Sequence, residues 1–72
     1  MRYAVVIEKG ETSYGAYVPD LPGCIAVGET LEETKTLIAE AIEFHLEGML
    51  EDGLALPQPT SLTHEVEILL KS

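Results

Sequence analysis

Residues 17–30, Tyr-Val-Pro-Asp-Leu-Pro-Gly-Cys-Ile-Ala-Val-Gly-Glu-Thr, restrict this chain more than any other stretch. Pro19, Asp20, Pro22 and Gly23 fall within five positions. Two prolines so close remove two backbone donors and fix two φ angles. Each also holds the residue before it, Val18 or Leu21, in an extended conformation. Gly23 can take a positive φ without steric penalty. The expectation is a stiff corner between two strands, capped by Asp20 through its own neighbouring amides. Leu21 sits at the centre of that corner, and an apolar residue there must pack on the chain's own helix or on a partner. At its far end the stretch runs into Gly28-Glu29-Thr30, where a helix starts.

The flanking segments follow from this corner. Residues 2–8 are rich in β-branched side chains and read as a strand. Tyr3, Val5 and Ile7 share one face and Ala4 and Val6 the other, so both faces carry apolar groups. One helix can cover only one of them, which points to association through the second face or an edge. Residues 9–13 are polar with a glycine, a hairpin connection into a second strand at 14–18. A short third strand covers 24–27, and three sequential strands with short connections form an antiparallel meander.

Thr30-Leu31-Glu32-Glu33 is a capping box: the Thr30 hydroxyl accepts from the Glu33 amide and the Glu33 carboxylate reaches back to the Thr30 amide. Leu31, Leu37, Ile38, Ala41, Ile42, His45, Leu46, Met49 and Leu50 then recur at three- and four-residue spacing. Glu29, Glu33, Thr36, Glu40, Glu43, Glu47 and Glu51 recur on the other side. This is an amphipathic helix of about twenty residues, or about 30 Å. Gly53 ends it in the left-handed position after the cap. Residues 54–61 form a proline-bearing linker, pinned at its start by Leu54 and Leu56. Residues 63–70 alternate, with Val66, Ile68 and Leu70 on one face and Glu65 and Glu67 on the other, and read as a fourth strand. The expected class is α+β with the order β-β-β-α-β, an antiparallel sheet packed on one long helix.

At 72 residues the chain is read as one domain spanning 1–72. A domain this small buries only about 60% of its unfolded surface, and Cys24, the single cysteine, rules out an internal disulfide. Self-association, as a dimer or tetramer, is the remaining reinforcement. No apolar run reaches the length of a membrane span, and no signal peptide is visible. The expected location is cytoplasmic. Four Lys and Arg against 13 Asp and Glu give a formal charge of −9. That opposes DNA or RNA binding, which depends on cations at the phosphates; on charge alone, solubility is the commoner reason for such an excess, ahead of a complementary basic partner.

Candidate chemistry is sparse. His45 and His64 are not at metal-ligand spacing, and the glycines do not form a phosphate loop. Cys24 has no motif around it and reads as a small packing residue. Neither catalytic residues, a metal site nor a cofactor is expected.

The strings Val18-Pro-Asp-Leu-Pro-Gly-Cys24 and Gly28-Glu-Thr-Leu-Glu-Glu33, the long helix, Asp52-Gly53 and Pro57-Gln-Pro59 together resemble the HicB antitoxin family. The resemblance covers essentially the whole chain. It implies a partial ribonuclease-H-like fold of the same β-β-β-α-β order. It also implies a type II toxin–antitoxin role: HicB proteins cover the active site of HicA, a small basic toxin that resembles double-stranded-RNA-binding domains and cleaves mRNA. Many members add a separate DNA-binding domain, which is not expected within these 72 residues. The ribonuclease-H likeness raises a degenerate or metal-dependent nuclease as an alternative, but Glu8, Asp20 and the helix acids are not expected to converge on metals as that chemistry needs. A structural homo-oligomer is a further alternative. The expected partner-binding residues are Asp20, Leu21, Pro22, Glu33, Glu40, Glu43 and Glu47. Pro19, Gly23, Thr30 and Gly53 are expected to shape the turn and caps.

Overall fold

The computed structural model describes residues 1–70. Three strands form one antiparallel sheet: β1 (Val6–Lys9), β2 (Tyr14–Tyr17) and β3 (Ile25–Gly28), in the order β1-β2-β3. The single helix α1 (Leu31–Glu51) packs on one face. The register aligns Ile7, Ala16 and Ala26 across the sheet, and this row faces α1. The neighbouring row, Val6, Tyr17 and Ile25, points the other way. There Ile25 is 67% exposed, with Val27 and Tyr17 also open. The outer face is therefore apolar and uncovered, as the doubly apolar first strand predicts.

The core is Ala16, Val18, Leu21, Cys24 and Ile38, with Tyr3, Val5, Ile7, Ala26, Ala41, Ile42 and Leu46 packed around it. Two tight turns share Leu21. The Leu21 N–H donates to the Val18 carbonyl, and the Cys24 N–H donates to the Leu21 carbonyl, both at 3.0 Å. In the second turn Pro22 precedes Gly23, whose φ is +84°. Proline followed by a positive-φ glycine is the type II signature. The shared corner residue is thereby turned inward, and Leu21 is 1% exposed. Its assignment to a partner-contacting surface is corrected: the side chain belongs to the core.

Both helix ends are satisfied locally. The Thr30 hydroxyl accepts from the Glu33 N–H at 3.0 Å. The Glu33 carboxylate reaches one residue further than a capping box predicts and accepts from the Glu29 N–H at 2.8 Å. At the other end the Gly53 N–H donates to the Leu50 carbonyl and the Leu54 N–H to the Met49 carbonyl. With Gly53 at φ +73° this is a Schellman closure. The start of α1 lies so close to β3 that a Cβ on Gly28 would fall 2.5 Å from Thr34 Oγ1. Thr34 itself is fully buried, and its hydroxyl donates to the Thr30 carbonyl at 2.8 Å.

The helix crosses β3 and β2, and β1 meets the core only through the Ile7 side chain at the margin of the covered face. Residues 63–70, expected as a fourth strand, are extended but pair with nothing among the described residues. Alternation specifies which side chains share a face and leaves the choice of neighbouring strand open, so the expected fourth strand is not formed and the segment is an unpaired arm. Lys71 and Ser72, which close the chain after it, lie outside the described residues. Among the described residues no helix is long and apolar enough to cross a membrane.

Candidate partner-binding surface

The C-terminal half of α1 and the start of β3 enclose a shallow groove of about 410 Å³. Gly23, Cys24 and Ile25 form one wall, and Ala41, Phe44, His45, Gly48, Met49 and Asp52 form the other. Phe44 is 80% exposed at the rim. Ala41, Phe44 and Gly48 follow one another at helical spacing and make a second apolar stripe beside the core stripe. A Cβ on Gly48 would meet nothing within 4 Å, so the groove is open at that point. Glycine in a helix interior is destabilising by about 0.5–1 kcal/mol relative to alanine, and here its effect is to widen the groove.

Acidic residues surround this groove. Glu40, Glu47 and Glu51 stand three or four residues from Phe44 and its neighbours, on the same side of the helix, and Glu43 is adjacent. Lys35, the only Lys or Arg in α1, lies nine residues before Phe44 and pairs with Glu32 at 3.6 Å. The last turn contains no basic residue. Carboxylates near a helix C-terminus oppose the macrodipole. Folding alone therefore disfavours Glu51 and Asp52 at that end, whereas a cationic partner would favour them.

The expected partner residues are thus divided by the structure. Glu40, Glu43 and Glu47 are exposed along one helix and come together near the groove. Glu33 is exposed too, but its carboxylate is engaged by the Glu29 amide. Pro22 is exposed on the turn beside Gly23. Asp20 does not cap its own turn. Its carboxylate accepts from the Thr60 N–H (2.9 Å) and hydroxyl (3.1 Å), and from the Ser61 N–H (2.9 Å) and hydroxyl (2.8 Å). Hydrogen bonds from the Ser61 backbone and hydroxyl, followed by those from Thr60, hold the Asp20 carboxyl below its ordinary range. Asp20 is the anchor of the linker, a role the sequence reading did not foresee. The Tyr3 hydroxyl, which donates to the Pro57 carbonyl, is a second tie to the same linker.

Phe44 was missing from the sequence-derived surface because it lies between the apolar and acidic stripes. The available signal was a lone phenylalanine one turn before a helical glycine, flanked by glutamates. Cys24 is buried, and burial pushes its thiol up, which keeps it protonated and unreactive. His45 lines the groove and His64 is exposed. Among the described residues no three His, Cys, Asp or Glu side chains are grouped so that they could hold a metal ion. Asp20 faces the linker and the helix glutamates face solvent, so the acids do not converge as a ribonuclease-H-like nuclease requires.

Three comparisons bear on this surface. The family model described as HicB_like antitoxin of bacterial toxin-antitoxin system matches residues 3–68. An uncharacterized 14.9 kDa protein from the rep-hol intergenic region of Haemophilus phage HP1 is 50% identical over 58 residues, covering 81% of this chain and 44% of the phage protein. The chain thus spans less than half the length of that relative. A UPF0150 protein of Helicobacter pylori (strain J99) is 44% identical over 64 residues, covering 88% of this chain and 89% of its own length. Among solved structures, a chain of a HicA3 and HicB3 toxin-antitoxin complex aligns with a TM-score of 0.70 at 30% identity, covering 82% of this chain and 69% of that one.

Proposed function

The chain belongs to the HicB-like antitoxin family of bacterial toxin–antitoxin systems, and from that premise we propose that it binds and blocks a small basic HicA-type toxin that cleaves mRNA. The observation that carries this reading beyond family membership is the acid-rimmed groove. Phe44 and the open space at Gly48 supply an apolar anchor site, and Glu40, Glu43, Glu47, Glu51 and Asp52 supply the complementary charge. Pro22 and Glu33 extend the contact along the turn and the helix. A toxin that binds RNA carries its cations at the active site, so a carboxylate-lined surface competes directly with phosphate for the same groups.

The protein acts without catalysis of its own, in the cytoplasm, as a dimer or tetramer, and without direct contact to DNA or RNA. The formal charge of −9 supports the last point, and the unpaired edges of the sheet support self-association.

Co-expression with a HicA-type toxin tests the reading. The two proteins are expected to co-purify, and growth arrested by the toxin is expected to recover. Phe44→Ala and Glu47→Lys should each weaken the complex at least tenfold, with unchanged helix content by circular dichroism. Glu47→Lys should also flatten the salt dependence of association. A toxin that binds both variants as tightly as the parent would remove the groove from the interface. Failure of the parent chain to bind any HicA-type toxin would remove the function itself.

A further inference from the structure

Residues 62–70 are exposed throughout, including Leu62 at 93% and Leu70 at 88%. The molecule is 55 × 27 × 16 Å with a radius of gyration of 14.7 Å. A compact domain of this length has a radius of about 11 Å, so the arm reaches well outside the body. An extended segment with alternating apolar side chains and unpaired amides is a template for pairing with another strand. Val66, Ile68 and Leu70 on one face need a hydrophobic layer, and the backbone needs a free sheet edge.

Among the described residues the body offers two free edges, β1 and β3. Three observations select β1. First, α1 lies over β2 and β3 rather than over β1, and Val5 and Ile7, packed at the margin of the core, are only half-buried. A strand added there would bring Val66, Ile68 and Leu70 against them. Second, Arg2, just before β1, lies on the face that Glu65 and Glu67 would take and offsets Glu8 there, whereas β3 borders the acidic groove and would repel them. Third, Asp20 holds Thr60 and Ser61, and Arg2, Tyr3 and Ala4 line a cleft with Ser61, Leu62 and Thr63. The arm therefore departs beside the beginning of β1, at the same edge that lacks a neighbour.

We propose that residues 62–70 are exchanged between two copies of this chain, each arm adding a fourth strand to the β1 edge of the other. Departure and landing sites at one edge allow both arms to cross a single two-fold axis, which closes the assembly as a dimer. The exchange places the expected fourth strand in the sheet of the partner copy. It needs no toxin, so its test is independent of toxin binding.

Sedimentation equilibrium at micromolar concentration should give twice the chain mass for the parent. The double variant Val66→Asp/Ile68→Asp should give the single chain mass with the same helix signal. In a Cys24→Ser background, Glu8→Cys on one copy and Glu67→Cys on another should be joined by a short bismaleimide when mixed. A monomeric parent, or a Val66→Asp/Ile68→Asp variant that remains dimeric, overturns the proposal. So does cross-linking of a doubly substituted Glu8→Cys/Glu67→Cys chain within itself with none between mixed single variants, because the arm would then lie on its own sheet.

Discussion

Leu21 packs among Ala16, Val18, Cys24 and Ile38, so Leu21→Ala leaves a cavity where two tight turns and the helix meet. The expected loss is about 2–5 kcal/mol, a large share of the stability available to a domain of this size. Urea denaturation measures it directly. Asp20, the preceding residue, acts on the linker instead. Its carboxyl is depressed from the ordinary 3.8 by hydrogen bonds from Ser61 and Thr60. A depressed folded value means that its contribution is complete above the unfolded value and is lost as pH falls through the folded one. Amide signals of Thr60 and Ser61 should therefore lose their hydrogen-bonded shifts as pH drops from about 5 to about 2. Asp20→Asn should weaken the same shifts at neutral pH, while the Leu21 methyl signals stay in place.

The helix shows how one element serves two demands. Its N-terminus is built for folding, with Thr30 capping Glu33 and Glu33 capping Glu29. Gly28 belongs to that arrangement because β3 and the first turn nearly touch. Gly28→Ala would place a Cβ 2.5 Å from Thr34 Oγ1 and 3.0 Å from its amide nitrogen. The expected destabilisation is about 1–3 kcal/mol, read as a lower thermal midpoint. The C-terminal half departs from what folding alone favours. Glu51→Lys should stabilise the isolated protein by about 0.3–1 kcal/mol through the macrodipole and at the same time weaken toxin association. Stability and binding moving in opposite directions would identify the acidic end as a functional surface. If both improve, the acids serve solubility instead.

At the scale of the whole molecule, a helix that covers only part of its sheet leaves a body with three unfinished surfaces. The outer sheet face is apolar, the β1 edge is unpaired, and the groove by Phe44 is open. The groove is bordered by acids and the β1 edge by mixed charges, Arg2, Glu8 and Lys9, so the two suit different partners. On the reading proposed above, the acidic side takes a cationic toxin and the β1 edge takes the arm of a second copy, so assembly and toxin binding would use separate surfaces.

Much of this was legible in residues 1–56. Prolines, glycines and β-branched runs act on the local backbone, so the turn, three strands, helix and both caps follow from neighbouring residues. The net charge also follows from sequence and sets which kinds of partner it would repel. Contacts between distant segments do not follow in this way. The turn chemistry left Leu21 between core and interface, and only packing against Ile38 decided it. Asp20 carries an ordinary turn signature, yet its partners lie forty residues away, because a carboxylate accepts from whichever amides the fold brings near. Alternation in residues 63–70 determined a strand-like face and left its neighbour undetermined. A strand is completed by hydrogen bonds to another strand, and α1 leaves the free edge at β1 uncovered only once the tertiary structure has formed.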